Sequence, residues 1–128
     1  MAEHIALFGE AEKGAFQTAY YCENLQQLVD FLGNPPESSY GLHFAVQALH
    51  FGRPILFFRV QEEGFSFEDY VSGSLLLSHQ SQIQEIAAIG IPGVGDTHIF
   101  QLLEPVRSRY HSILLTTEAD LFDYLSAA

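Results

Sequence analysis

Three short runs of apolar residues constrain the fold of this chain more than any other feature. They are PILFFRV (54–60), EIAAIGI (85–91) and SILLTT (112–117), and each is apolar at successive positions rather than at every second one. Strands of this kind are buried on both faces, as in a parallel sheet covered by helices. Segments with helical patterns alternate with them, at 40–52, 66–79, 96–104 and 118–127. The pattern predicts an α/β fold with a small, open, mostly parallel sheet and helices on both faces, in a Rossmann-like three-layer arrangement.

The length and the breaks in the sequence predict one domain over residues 1–128. A chain of 128 residues with 48% hydrophobic residues can build one core. The strongest break, GNPPESS (33–39), ends any helix over 25–32 but is too short for a domain linker. Within YGLHFAVQALHFG (40–52), His43, Gln47 and His50 form one polar stripe on an otherwise apolar helix. Pro105 is expected to interrupt or restart the helix that begins at 96.

Charge argues against two classes of partner. The chain has 16 acidic residues and a formal net charge of −11, and its few basic residues form no cluster. Such a field repels nucleic acid and an anionic membrane surface. No apolar run approaches the roughly 20 residues of a spanning helix, and no leader pattern opens the chain, so a cytoplasmic location is expected. The single cysteine, Cys22, excludes an intramolecular disulfide and is expected to be a small buried residue.

The first glycine-rich stretch, GEAEKG (9–14), has the frame of a phosphate loop but lacks its side chains. Ala15 and Phe16 stand where a Walker A loop has lysine and a hydroxyl. A phosphate loop therefore remains the alternative, and an N-terminal hairpin is favoured. In that hairpin IALFGEA and AFQTAYY flank EKG, with Gly14 at a positive φ.

A second glycine-rich loop, IGIPGVGD (89–96), joins a predicted strand to a predicted helix, as phosphate-binding loops do. Its candidate ligand-binding residues are Gly93, Gly95, Asp96 and Thr97. IPGVGDTHIFQLLE resembles the P-G-G-x-G-T-x-x-E loop of the lonely-guy-type (lysine-decarboxylase-like) phosphoribohydrolases, a Rossmann-like nucleotide-binding superfamily. GLHFAVQALHFGRPILFFRV and HSILLTTEADLFDYL are similar to flanking units of that family.

The resemblance implies the fold of that family and argues against its activity. Matched by position, Pro92, Gly93 and Thr97 agree, whereas Val94 and Asp96 replace glycines. Phe100 stands where the catalytic glutamate would be. The resemblance therefore indicates a domain whose ancestral nucleotide site is lost or much altered.

Acidic residues also follow the predicted strands, and they permit an enzymatic alternative. They are Glu10, Glu62, Glu63, Asp96, Glu118 and Asp120. Glu10, Glu118 and Asp120 are the catalytic candidates, and E-x-D at 118–120 resembles the acidic pattern of toprim domains. This alternative is a nucleotide or nucleoside hydrolase, or a phosphoryl-transfer enzyme that uses Mg²⁺ held by these carboxylates at the carboxyl ends of the strands. The six histidines have no metal-ligand spacing, so no other metal or cofactor is expected.

Helix capping explains more of these acids than catalysis does. SFED (66–69) and TEAD (117–120) fit a capping box, and Asp96 fits an N-cap. A carboxylate at a helix N-terminus occupies the place where a phosphate would bind. The sequence therefore favours a non-catalytic domain that acts through protein–protein interaction or self-association.

Aromatic residues indicate a homodimer or another protein partner. Few charges are available to cover the surface of so small a domain, and several aromatic residues lie near predicted helix ends. These residues are Phe65, Phe67, Tyr70, Phe122 and Tyr124. Some of them are expected to lie in an interface.

The capped helix ends predict that nucleoside monophosphates bind weakly or not at all. Calorimetric titration with AMP tests this expectation. A dissociation constant below about 10 μM, near −7 kcal/mol, would contradict the role given to Asp96.

Overall fold

The apolar runs form strands of one sheet in the computed structural model, which describes residues 3–80 and 85–127. The strands are β1 (Glu3–Gly9), β2 (Ala19–Cys22), β3 (Ile55–Arg59), β4 (Glu85–Gly90) and β5 (Ile113–Leu115). The helices are α1 (Leu25–Leu32), α2 (Gly41–His50), α3 (Phe67–Ser78), α4 (Thr97–Tyr110) and α5 (Glu118–Ser126). Each helix and each later strand begins within one residue of its predicted start, but α4 ends six residues later than the predicted 104.

The sheet is open and mostly parallel, in the order β2-β3-β1-β4-β5. β3, β1, β4 and β5 run parallel, and β2 pairs antiparallel with β3 at one edge. The predicted α/β fold is therefore confirmed. The predicted N-terminal hairpin is wrong, because β3 and β4 occupy both sides of β1 and leave β2 no place beside it.

Helices cover both faces of the sheet. α1, α2 and α5 pack on what we call the first face, and α3 and α4 pack on the second face. Ile5 and Leu7 of β1 point to the first face, whereas Ala6 and Phe8 point to the second. All four side chains are fully buried, which explains why the run is apolar at successive positions.

The helices test two further predictions, the polar stripe of α2 and the interruption at Pro105. The polar stripe of α2 is confirmed, because His43 and His50 are exposed while Phe44 and Ala48 are buried. The predicted interruption at Pro105 is wrong, because α4 continues through it to Tyr110. A proline removes one N–H donor from the helix. Buried residues on both sides of it, Ile99, Leu103 and Val106, hold α4 against the second face.

A membrane crossing would require a long apolar helix. Across residues 3–80 and 85–127, no helix has both the length and the hydropathy for it.

Cys22 is fully buried in the core of the first face, as predicted, and this burial raises the pKa of its thiol to about 11 from 9.0. We expect a disulfide reagent at pH 8 to modify the folded protein at least about a hundredfold more slowly than the urea-unfolded chain, since the thiolate is the reactive form. Absorbance of the released thiol measures both rates. Equal rates would contradict the burial of Cys22, which is the only thiol present.

Candidate functional site

The parallel strands end at one side of the sheet, here called the carboxyl edge. The loops after β1, β3, β4 and β5 meet there, and this is where an open α/β sheet usually binds a ligand. All the predicted site residues lie in these loops or at the helix starts that follow them. The surroundings of these residues differ. Glu63, which was expected at this edge but was not a site candidate, bonds to the backbone of the loops around it.

Glu63 follows β3, and its side chain is buried beneath the loops. Its carboxylate accepts three backbone hydrogen bonds. Oε1 accepts from the N–H of Tyr40 at 2.8 Å, and Oε2 accepts from the N–H groups of Glu10 and Gly41, each at 2.9 Å. Tyr40 and Gly41 begin α2, so Glu63 caps that helix and lies at the positive end of its dipole.

Glu10 completes the arrangement from the other side. Its Oε2 accepts from the N–H of Glu63 at 2.9 Å, so the two glutamates exchange hydrogen bonds across the ends of β1 and β3. The N–H of Val60 also donates to the carbonyl oxygen of Gly9 at 2.9 Å. Glu10 is therefore engaged in joining two loops.

The end of β1 touches the start of α2 at the level of the backbone. A Cβ added to Gly9 or to Gly41 would lie 2.5 Å from the Cα of the other glycine and 3.0 Å from Oε2 of Glu63. Only glycine permits this approach. Glu63 therefore occupies the position at the helix N-terminus that a phosphate takes in nucleotide-binding α/β proteins.

The loops after β3 and β4 are in contact as well. A Cβ on Gly64 would lie 2.3 Å from the carbonyl oxygen of Gly93, and both glycines have positive φ, at 88° and 81°. The N–H of Gly64 donates to the hydroxyl of Tyr70 at 2.8 Å. Burial raises the pKa of that hydroxyl to about 12. Gly93, a predicted ligand-binding residue, thus packs against the neighbouring loop, whereas nothing lies within 4 Å of a Cβ on Gly95.

Asp96 caps α4, as predicted. Its Oδ1 accepts from the N–H of His98 at 2.8 Å and contacts Nδ1 of the same histidine at 3.0 Å. These bonds, led by the backbone one, lower the pKa of the carboxyl group. Thr97 is exposed at the first position of the helix. The carboxylate of Asp96 is thus hydrogen-bonded to the first turn of its own helix.

The two predicted capping boxes have different outcomes. Thr117 caps α5, with its Oγ1 accepting from the N–H of Asp120 at 3.1 Å. The box predicted at 66–69 is wrong, because the Ser66 hydroxyl exchanges bonds with the backbone of Glu62 instead. Asp69 accepts from the N–H of Gln61. The loop after β3 takes the groups that would otherwise cap α3.

The remaining acidic candidates are exposed. Glu118 lines a groove on the first face together with Phe51 and Phe122, and Asp120 lies in the first turn of α5. Among the residues that the structure describes, no three His, Cys, Asp or Glu side chains are grouped so that they could hold a metal ion.

Sequence reasoning placed Glu63 at the carboxyl edge but missed its capping role, although two signals for that role were present. Tyr40, at the N-cap of α2, offers no capping side chain, so the N–H groups of this buried helix start need an acceptor from elsewhere. Glu62 and Glu63 come one residue after a predicted strand and precede Gly64. A helix start without a local cap, together with an acid that follows a neighbouring strand, therefore indicates a long-range cap.

Comparisons with other proteins add no family: no protein-family model matches this chain, and searches of curated proteins and of solved structures found no match.

Glu63→Ala is expected to lower the free energy of unfolding by about 3 kcal/mol, since each buried donor left without an acceptor costs ~1–3 kcal/mol. Glu63→Gln keeps one acceptor oxygen and should lose roughly half as much. Urea unfolding followed by circular dichroism measures both losses.

Glu62→Ala is the matched control for this experiment. Glu62 is the preceding residue and is exposed, so its substitution should change stability by less than about 0.5 kcal/mol. Similar losses from Glu62→Ala and Glu63→Ala would show that Glu63 does not have the capping role described.

Proposed function

We propose that this chain is a non-catalytic α/β domain that acts by binding protein, and that its partner is a second copy of itself. The closed carboxyl edge supports the non-catalytic part of the proposal. Glu63 and Asp96 occupy the starts of α2 and α4, where a ligand anion would bind, and Glu10 is bonded to Glu63. Binding must then use another surface.

The observation that supports protein binding is an apolar groove beside α3. This α3 groove has a volume of about 1040 Å³ and lies between the helix and the second face of β2 and β3. Its apolar lining includes Ala19, Leu56, Phe58, Phe67, Leu75 and Leu76. Phe67, Leu75 and Leu76 are 40–52% exposed. Contiguous exposed apolar surface of this kind marks interaction sites.

The predicted interface aromatics divide between the surface and the core. Phe65 is 72% exposed beside the start of α3, close in sequence to Phe67 of the α3 groove. Phe122 is exposed on the first face. Tyr70 cannot take part in an interface, because it is fully buried and stacks on Phe8 with ring centres 5.2 Å apart. Tyr124 is half-buried and hydrogen-bonded to Arg53.

Charge favours this groove for contact between two acidic copies. Two chains of net charge −11 repel each other, although salt screens exposed charges beyond about 8 Å. Glu68 is the only carboxylate among the described residues that line the groove. Apolar contact there brings few like charges together, as in the core of other protein interfaces.

Sedimentation velocity in moderate salt should show a species of twice the 14.3 kDa chain mass as the concentration rises through the micromolar range. Leu75→Asp should shift the protein toward monomer by at least about tenfold in dissociation constant, because it places a charge in the groove. A single 14.3 kDa species of the unmodified protein at every concentration would refute self-association.

Val46→Asp is the control for Leu75→Asp. Val46 is also a helical aliphatic residue, 40% exposed against 52% for Leu75, but it lies on α2 at the first face. The same charge change at this position should leave the dissociation constant unaltered. An equal loss from both variants would place the interface outside the α3 groove.

A further inference from the structure

β2 is an edge strand with an open outer side. It pairs with β3, and in the part of the chain that the structure describes no strand pairs with its other side. The N–H and C=O groups along such a side form a template for another strand. Proteins usually shield an edge with lysine or proline, and the segment from 14 to 22, GAFQTAYYC, contains neither.

The α3 groove extends to this edge. Ala19 lies opposite Phe58 and Tyr21 lies opposite Leu56, so these four side chains share the second face. Ala19 lines the groove, and Tyr21 is 37% exposed. A strand added to β2 would therefore place its own side chains next to the groove. Pairing of four residues covers little surface, and the groove supplies apolar area toward the roughly 1,200–2,000 Å² of a stable interface.

The distribution of charge supports a second copy as the occupant. The segment 14–22 has no charged residue, in a chain whose net charge is −11. Charged groups contact it at two places: Glu23 hydrogen-bonds to the Tyr21 side chain, and Arg59 donates to the carbonyl oxygen of Gly14. A basic partner would gain most from the acidic surfaces, whereas a second acidic copy is repelled least at an edge with so few carboxylates. The other edge strand, β5, has only three residues and borders a groove lined by Glu85, Arg109 and His111, charged or polar groups that docking would desolvate.

We infer that β2 of one copy pairs antiparallel with β2 of a second copy and joins the two five-stranded sheets into one. This inference rests on the proposed self-association and specifies its geometry. Antiparallel pairing of a strand with itself is a two-fold contact, so each copy satisfies the same backbone groups of the other. The α3 grooves of both copies then lie beside the shared edge.

Hydrogen–deuterium exchange of the unmodified protein tests the pairing directly. Amides of 19–22 that face outward should exchange roughly tenfold more slowly, or more slowly still, at concentrations where the dimer forms than where it is dissociated. Amides of α5, on the first face, serve as the internal reference and should not change.

Tyr21→Glu is the matching variant, because it adds a carboxylate to both paired strands, which lie about 4.8 Å apart in a sheet. It should weaken dimerisation by at least about tenfold. Phe122→Glu makes the same aromatic-to-acid change at a residue that is 56% exposed on the first face, and it should dimerise as the unmodified protein does. Circular dichroism establishes that both variants are folded.

The outcomes separate this inference from the function on which it rests. A protein that stays monomeric refutes both. A protein that dimerises without protection of 19–22 refutes edge pairing and leaves self-association standing, and dimerisation of Tyr21→Glu at unchanged affinity does the same. If Tyr21→Glu does not fold, exchange in the unmodified protein decides alone.

Discussion

The carboxylate of Glu63 is the interaction on which the carboxyl edge depends. It accepts from the backbone of Glu10, Tyr40 and Gly41 and so connects the end of β1, the start of α2 and the loop after β3. Hydrogen bonds to a charged acceptor are stronger than those between neutral groups, and the helix dipole adds to them. The chain thus provides its own anion at a helix N-terminus, a position where other α/β proteins bind one from solution. Because Glu63 fills that site, the self-association that we propose uses the apolar groove beside α3 instead.

The parts of the fold that could be predicted are those set by local burial. The runs at 54–60 and 85–91 are apolar at successive positions because each strand lies between two layers of helices. The stripe at His43, Gln47 and His50 reports directly which side of α2 meets solvent. The cap at Asp96 was also predictable, since its partner His98 is only two residues away. In each case the pattern and its cause lie within one segment.

The features that sequence reasoning missed depend on which distant residues pair with each other. The sequence of β2 is typical of half of a hairpin with β1. In the structure β4 occupies the side of β1 that would have been free for β2. The residues around position 20 contain no signal for this. The Ser66 hydroxyl could cap α3 or bond to the loop after β3. The conformation of that loop favours the second, with bonds to the backbone of Glu62. Glu63 bonds to groups 22, 23 and 53 residues away. A one-dimensional pattern contains no signal for such contacts until the topology is known.

The backbone contact between Gly9 and Gly41 has a consequence for the order of folding. It joins positions 32 residues apart, and Glu63 bonds to the same two strand and helix ends from further along the chain. Contacts between residues so far apart in sequence form only after a long loop has closed, which costs conformational entropy. The start of α2 therefore lacks its native acceptor, the carboxylate of Glu63, until β1, α2 and the loop after β3 have come together. A fragment of the chain that ends before residue 63 therefore cannot form the capped start of α2, however well its own segments fold.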